Sequence, residues 1–142
     1  MSNLTAFLKQ NAIAIENEKY VASKRFVDDK KKPIAWEIKS ISSAQDEQIR
    51  KDCTKKVPVV GKRGQYTQEI DMDAYFARLC VACTVFPDLN NTELQESYGV
   101  RGGEALIRVM LNAGEYTDYK AKIAEINGFD VSMDELVEEA KN

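Results

Sequence analysis

The chain has 142 residues, of which 44% are hydrophobic and 30% charged, with 20 basic and 23 acidic side chains and a formal net charge of −3. That balance fits one folded domain with enough chain to bury a core, and it excludes a disordered or membrane-embedded polypeptide. Histidine is absent, which removes Ser-His-Asp and Cys-His nucleophile pairs, HExxH zinc sites and imidazole acid–base chemistry.

In chain order, Leu4, Phe7, Leu8, Ala12 and Ile15 fall on one helical face and predict a short amphipathic helix over residues 4–15. Tyr20 to Val27 is rich in β-branched and aromatic residues, and Asp28-Asp29-Lys30-Lys31-Lys32-Pro33 reads as a turn. Ile34, Trp36 and Ile38 then alternate with Ala35, Glu37 and Lys39, the period of a half-buried strand, so the two runs predict an antiparallel hairpin with a long loop. Ser42 to Cys53 carries acidic residues early and basic residues late, as suits a helix and its dipole. Val57-Pro58-Val59-Val60 is extended, Gly61-Lys62-Arg63-Gly64 is a loop, and Gln65 to Ile70 is extended again.

The remainder reads as helical. Asp71 caps a helix over 72–86 that places Tyr75, Leu79, Ala82, Cys83 and Phe86 on one face, with Pro87 ending it. Asn90 and Glu93 have capping-box spacing before Leu94 and Tyr98, and Gly99 terminates that helix. Gly103 to Leu111 forms another helix. Asn112 and Glu115 cap a further one carrying Tyr116, Tyr119, Ile123 and Ile126 and ending at Asn127-Gly128. Ser132 and Glu135 cap a last one with Met133, Leu136, Val137 and Ala140. Strands gather early and helices late. The expected fold class is therefore α+β, a small N-terminal antiparallel sheet or hairpin with a mainly helical C-terminal half. One domain spanning 1–142 is expected, β-containing to about residue 70 and helical from about 71.

Charge divides unevenly. Residues 1–66 hold 14 basic and 8 acidic side chains, and residues 67–142 hold 6 basic and 15 acidic. Either the two halves attract each other in the fold or a larger assembly uses the polarity. The pI of about 5.1 argues against nucleic acid as the partner of the basic half. No stretch reads as a signal peptide or a spanning helix, which places the protein in the cytosol with free thiols at Cys53, Cys80 and Cys83.

No motif carries chemistry past its structural explanation. Cys80-Val81-Ala82-Cys83 sits deep in an apolar helix, away from the helix start where a redox pair gains its low pKa, and zinc would need two more ligands. Buried structural cysteine is the better reading, and Cys80→Ala and Cys83→Ser should leave function intact. Gly61–Gly64 lacks phosphate-loop spacing, and Gly99-Val100-Arg101-Gly102-Gly103 follows a helix rather than a strand. The pairs Asp28/Asp29, Asp71/Asp73 and Glu138/Glu139 are explained by caps and solvated faces. The basic clusters Lys30–Lys32, Lys55-Lys56 and Lys62-Arg63 adjoin turns and lack a stacking platform. No catalytic residue, metal or cofactor is expected.

Several segments together resemble one family: Tyr20–Phe26, Trp36–Ile41, Cys53–Lys56, the Gly61–Gly64 loop, Val81–Pro87, Ser97–Val100 and Glu125–Phe129. The chain resembles the XkdN-like tail assembly chaperones of phages and defective prophages (the PBSX type) along nearly its whole length. The resemblance implies a non-enzymatic protein that holds the tape-measure protein soluble while tube subunits assemble, with the tail tube protein as a further partner. It implies the host bacterial cytoplasm and absence from the mature virion. In many such phages a frameshift appends a second domain. The resemblance transfers no functional residue position by position. The amphipathic terminal segments are the candidate partner-binding surfaces, through Leu4, Phe7 and Leu8 or through Met133, Leu136 and Val137. The alternative is a structural component of the tail or head–tail junction, followed by a nucleic-acid-binding regulator.

Overall fold

The alternation at Trp36-Glu37-Ile38 buries Trp36 and Ile38 and turns Glu37 outward to Lys19, 2.9 Å away. A computed structural model describes residues 3–129. After a short 3₁₀ helix at Asn3–Phe7, its elements are β1 (Glu18–Tyr20), β2 (Trp36–Ile38), α1 (Ser43–Asp52), β3 (Thr54–Pro58), β4 (Tyr66–Ile70), α2 (Met72–Ala82), β5 (Thr84–Phe86), α3 (Thr92–Ser97), α4 (Gly103–Met110) and α5 (Ala113–Ile126). The α+β class holds, with small antiparallel sheets early and helices dominating later. One sheet has the order β1-β2-β5, and a separate two-stranded sheet pairs β3 with β4.

The expected pairing across residues 28–33 is present, but the strands are short. Glu18 opposes Ile38 and Tyr20 opposes Trp36, while Val27 and Pro33 meet only in an isolated bridge. Between them Asp28 accepts hydrogen bonds from the Lys30 and Lys32 amides, which closes the turn. Residues 21–26 are irregular.

Helix α2 is the centre of the packing. It contacts α1, α4, α5 and β5, and Arg78 is among its few exposed positions while Tyr75, Phe76, Ala77, Leu79 and Cys80 are buried. Gly103 lets α4 approach closely, since a Cβ there would lie 2.9 Å from Val81 Cγ1. The sheet is fastened to α5 through aromatic contacts. The Tyr119 ring meets Trp36 edge-on at 5.3 Å and Tyr20 at 5.9 Å, and its hydroxyl hydrogen-bonds Thr84 Oγ1.

Four expectations change. The helix over 4–15 is only a 3₁₀ helix at Asn3–Phe7 followed by turn and irregular chain. A lone amphipathic helix of that length needs a surface to bury its face, and here that face stays exposed. The strand expected from Tyr20 to Val27 begins earlier, at Glu18, and ends at Tyr20. The helix expected to reach Phe86 stops at Ala82. Cys83 caps it, Thr84 Oγ1 donates back to the Cys80 carbonyl, and Thr84-Val85-Phe86 joins β2 as an edge strand. Burying β2 on both edges outweighs continuing a helix whose next residues are β-branched. The cap of α3 is Asn91 rather than Asn90. By contrast the Asn112–Glu115 capping box and the Asp71 cap are as expected, and Gly99 and Gly128 take positive φ at their helix ends.

Candidate functional site

The thiols and carboxylates that could have carried chemistry serve the fold. Cys53, Cys80 and Cys83 are free and buried. Burial pushes the Cys80 and Cys83 thiols up, away from the reactive thiolate, and Cys83 Sγ accepts a bond from Asn127 Nδ2 at 3.4 Å. Asp46, Arg50 and Tyr75 form a network between α1 and α2. Tyr75 donates to Asp46 at 2.6 Å, Arg50 Nε donates to Asp46 at 3.0 Å, and the guanidinium lies over the Tyr75 ring. Burial, then the bond to Asp46, raises the Tyr75 phenol, so it stays a neutral donor. Asp28 and Asp71 close a turn and cap a helix. Glu138 and Glu139 lie outside the described residues. Among the described residues no group of three or more His, Cys, Asp or Glu side chains is placed to hold a metal, and no helix is long and apolar enough to cross a membrane.

What stands out instead is apolar surface in three places. The first is the N-terminal arm, where Leu4, Phe7 and Leu8 are exposed, with Phe7 at 80%, and where Ile13 and Ile15 stand at 97% and 80%. Leu4, Phe7 and Leu8 are therefore all exposed on one short segment. The second is the β3–β4 hairpin. Its strands are exposed or half-buried throughout, and its tip carries Val60, 98% exposed, beside Lys62 and Arg63. The third is an open groove of about 480 Å³ between β5 and α3, lined by Val85, Phe86 and Leu94 with Asp88 and Glu93 at its edge. Met133, Leu136 and Val137 lie outside the described residues.

The comparisons with known proteins give the family of the chain. Residues 4–141 match the profile of the Phage XkdN-like tail assembly chaperone protein family. The chain belongs to the XkdN-like tail assembly chaperone family. Among its relatives, the phage-like element PBSX protein XkdN of Bacillus subtilis (strain 168) is 34% identical over 141 residues, spanning 99% of this chain and 94% of XkdN. YqbN of the same strain is 34% identical over 141 residues, spanning 99% of this chain and 93% of YqbN. The crystal structure of the protein YqbN is similar with a TM-score of 0.76 at 27% identity, covering 92% of this chain and 99% of that one. Membership gives this tail assembly chaperone a role in building phage or prophage tails, with phage tail proteins as its partners.

The exposed hairpin tip and the groove were hard to find in the sequence. Val60 is the last residue of the run Val57-Pro58-Val59-Val60, which reads as extended chain. Phe86 continues the helical spacing of Tyr75, Leu79 and Cys83, so it reads as core although it is 53% exposed. The local signal for the groove was the β-branched pair Thr84-Val85 ahead of Pro87.

Proposed function

We propose that this chain is a non-catalytic chaperone that binds the tape-measure protein and keeps it soluble while the tail tube assembles around it. The observation that supports this reading is the N-terminal arm. Phe7, Leu8, Ile13 and Ile15 are exposed on a chain whose core is already filled by Trp36, Tyr75, Leu79, Leu106 and Tyr119. An exposed apolar segment of this kind fits the apolar stripe of a long helical client. The charged remainder of the surface keeps the complex in solution. Leu4, Phe7 and Leu8 lead the contact, with Met133, Leu136 and Val137 as the C-terminal counterpart.

Co-expression tests it. The tape-measure protein of the same phage should move from the insoluble to the soluble fraction and co-purify with this chain. Phe7→Asp with Leu8→Asp should abolish that capture while the variant keeps its own circular dichroism spectrum. Unchanged tape-measure solubility and no co-purification would refute the reading. Mass spectrometry of finished particles provides the second check, because recovery of the chain at fixed copy number would make it a structural component instead.

A further inference from the structure

The β3–β4 hairpin has no purpose within its own fold that explains its tip. The core cluster takes in only Ile70 from it, and the hairpin is anchored at its base, where the Asp71 amide donates to the Cys53 carbonyl and Thr54 Oγ1 donates to the Arg50 carbonyl. With five residues per strand it extends about 17 Å. A two-stranded hairpin in water is marginal by itself. Yet this one ends in Val60, whose side chain touches almost nothing, flanked by two cations. Lys62 and Arg63 are exposed, and neither forms a salt bridge with any described residue.

The groove between β5 and α3 is its chemical complement. It offers Val85, Phe86 and Leu94 as an apolar lining, and Asp88 and Glu93 as anionic edges. Both acids are exposed, and neither forms a salt bridge with any described residue. The tip does not fill this groove in its own chain, as the exposure of Val60 shows. The hairpin is rooted at the N-terminal end of α2 and the groove begins just past its C-terminal end, about 16 Å away along the helix.

We infer that the hairpin tip of one copy docks in the β5–α3 groove of a second copy, Val60 against Val85, Phe86 and Leu94, with Lys62 and Arg63 paired to Asp88 and Glu93. Because the two surfaces differ, a single contact leaves a free tip and a free groove on the pair, which either close on each other about a two-fold axis or take up further copies. Further copies extend the pair into an open chain or a closed ring. The uneven charge of the two sequence halves then serves assembly more than internal attraction. Of the eight salt bridges among the described residues, only Arg25–Glu115 and Lys55–Asp71 join a basic side chain of residues 1–66 to an acidic one of 67–142. A contact this small is weak in isolation and gains from repetition along an extended client.

Sedimentation velocity on the full chain alone, over a concentration series, tests this without any tape-measure protein. The expected result is reversible self-association that weakens with added salt. Val60→Asp should weaken it about tenfold or more, as should Lys62→Glu with Arg63→Glu, and so should Glu93→Lys. Mixing the tip-reversed variant with a variant carrying both Asp88→Lys and Glu93→Lys should restore association, because the negative tip then meets a positive groove. A photo-crosslinking amino acid at position 60 should join two copies, with the crosslink mapping to residues 84–97. A chain that stays monomeric throughout the series would overturn the inference. So would self-association that none of these substitutions weakens, or a crosslink that maps elsewhere. Circular dichroism of each variant separates lost docking from lost fold.

Discussion

The two small sheets of this protein are built from similar amounts of backbone and put to opposite uses. In the β1-β2-β5 sheet the central strand buries Trp36 and Ile38, and α5 seals it through Tyr119. In the β3–β4 hairpin no strand residue is fully buried, although five consecutive pairs hold its register from Thr54–Ile70 to Pro58–Tyr66. The lesson is that a strand pair needs a covering layer to contribute to the core. Among the described residues the hairpin has none, and its side chains stay exposed or half-buried. The same division separates the helices, whose buried faces meet around α2, from the N-terminal arm, where Phe7, Ile13 and Ile15 are exposed.

That contrast can be broken most forcefully at its buried end. Trp36→Ala should destabilise the protein by about 3–5 kcal/mol, because the cavity would open between β2 and α5 where neighbours cannot close in. Urea unfolding monitored by far-ultraviolet circular dichroism measures this. A loss below about 1 kcal/mol would mean that Trp36 does not hold β2 against α5. Gly103→Ala should cost about 1–3 kcal/mol by pressing a methyl group against Val81 Cγ1, 2.9 Å away, and against the Leu89 carbonyl beyond it. Tyr75→Phe removes the hydroxyl that donates to Asp46 but leaves Arg50 on that carboxylate, so about 1–2 kcal/mol is expected from the same denaturation curves. At the exposed end, Val60→Asp should change stability by no more than about 0.5 kcal/mol. A large loss there would show that the hairpin tip belongs to the fold after all.

Much of the helical half is legible residue by residue because its signals are local. Asp71 and Asn112 accept bonds from the amides they were expected to cap, and Gly99 and Gly128 sit at helix ends with positive φ. Residues 84–86 were illegible for the converse reason. Their helical spacing is genuine, and only the presence of β2, more than 40 residues earlier, makes the extended form better. The arm failed in the other direction. Leu4, Phe7, Leu8 and Ile15 have the periodicity of a buried face, but periodicity says nothing about whether a partner surface exists within the chain.

By itself the sequence determined the α+β class, the caps of α2 and α5, the burial of Cys80 and Cys83 and kinship with the tail assembly chaperones. These rest on hydrogen bonds a few residues apart, on composition, or on resemblance along the whole chain. Only the tertiary structure decided where α2 stops, which strand closes the sheet, and which apolar residues stay in water. Those outcomes depend on contacts between distant segments, whose burial outweighs the local preference of any one of them.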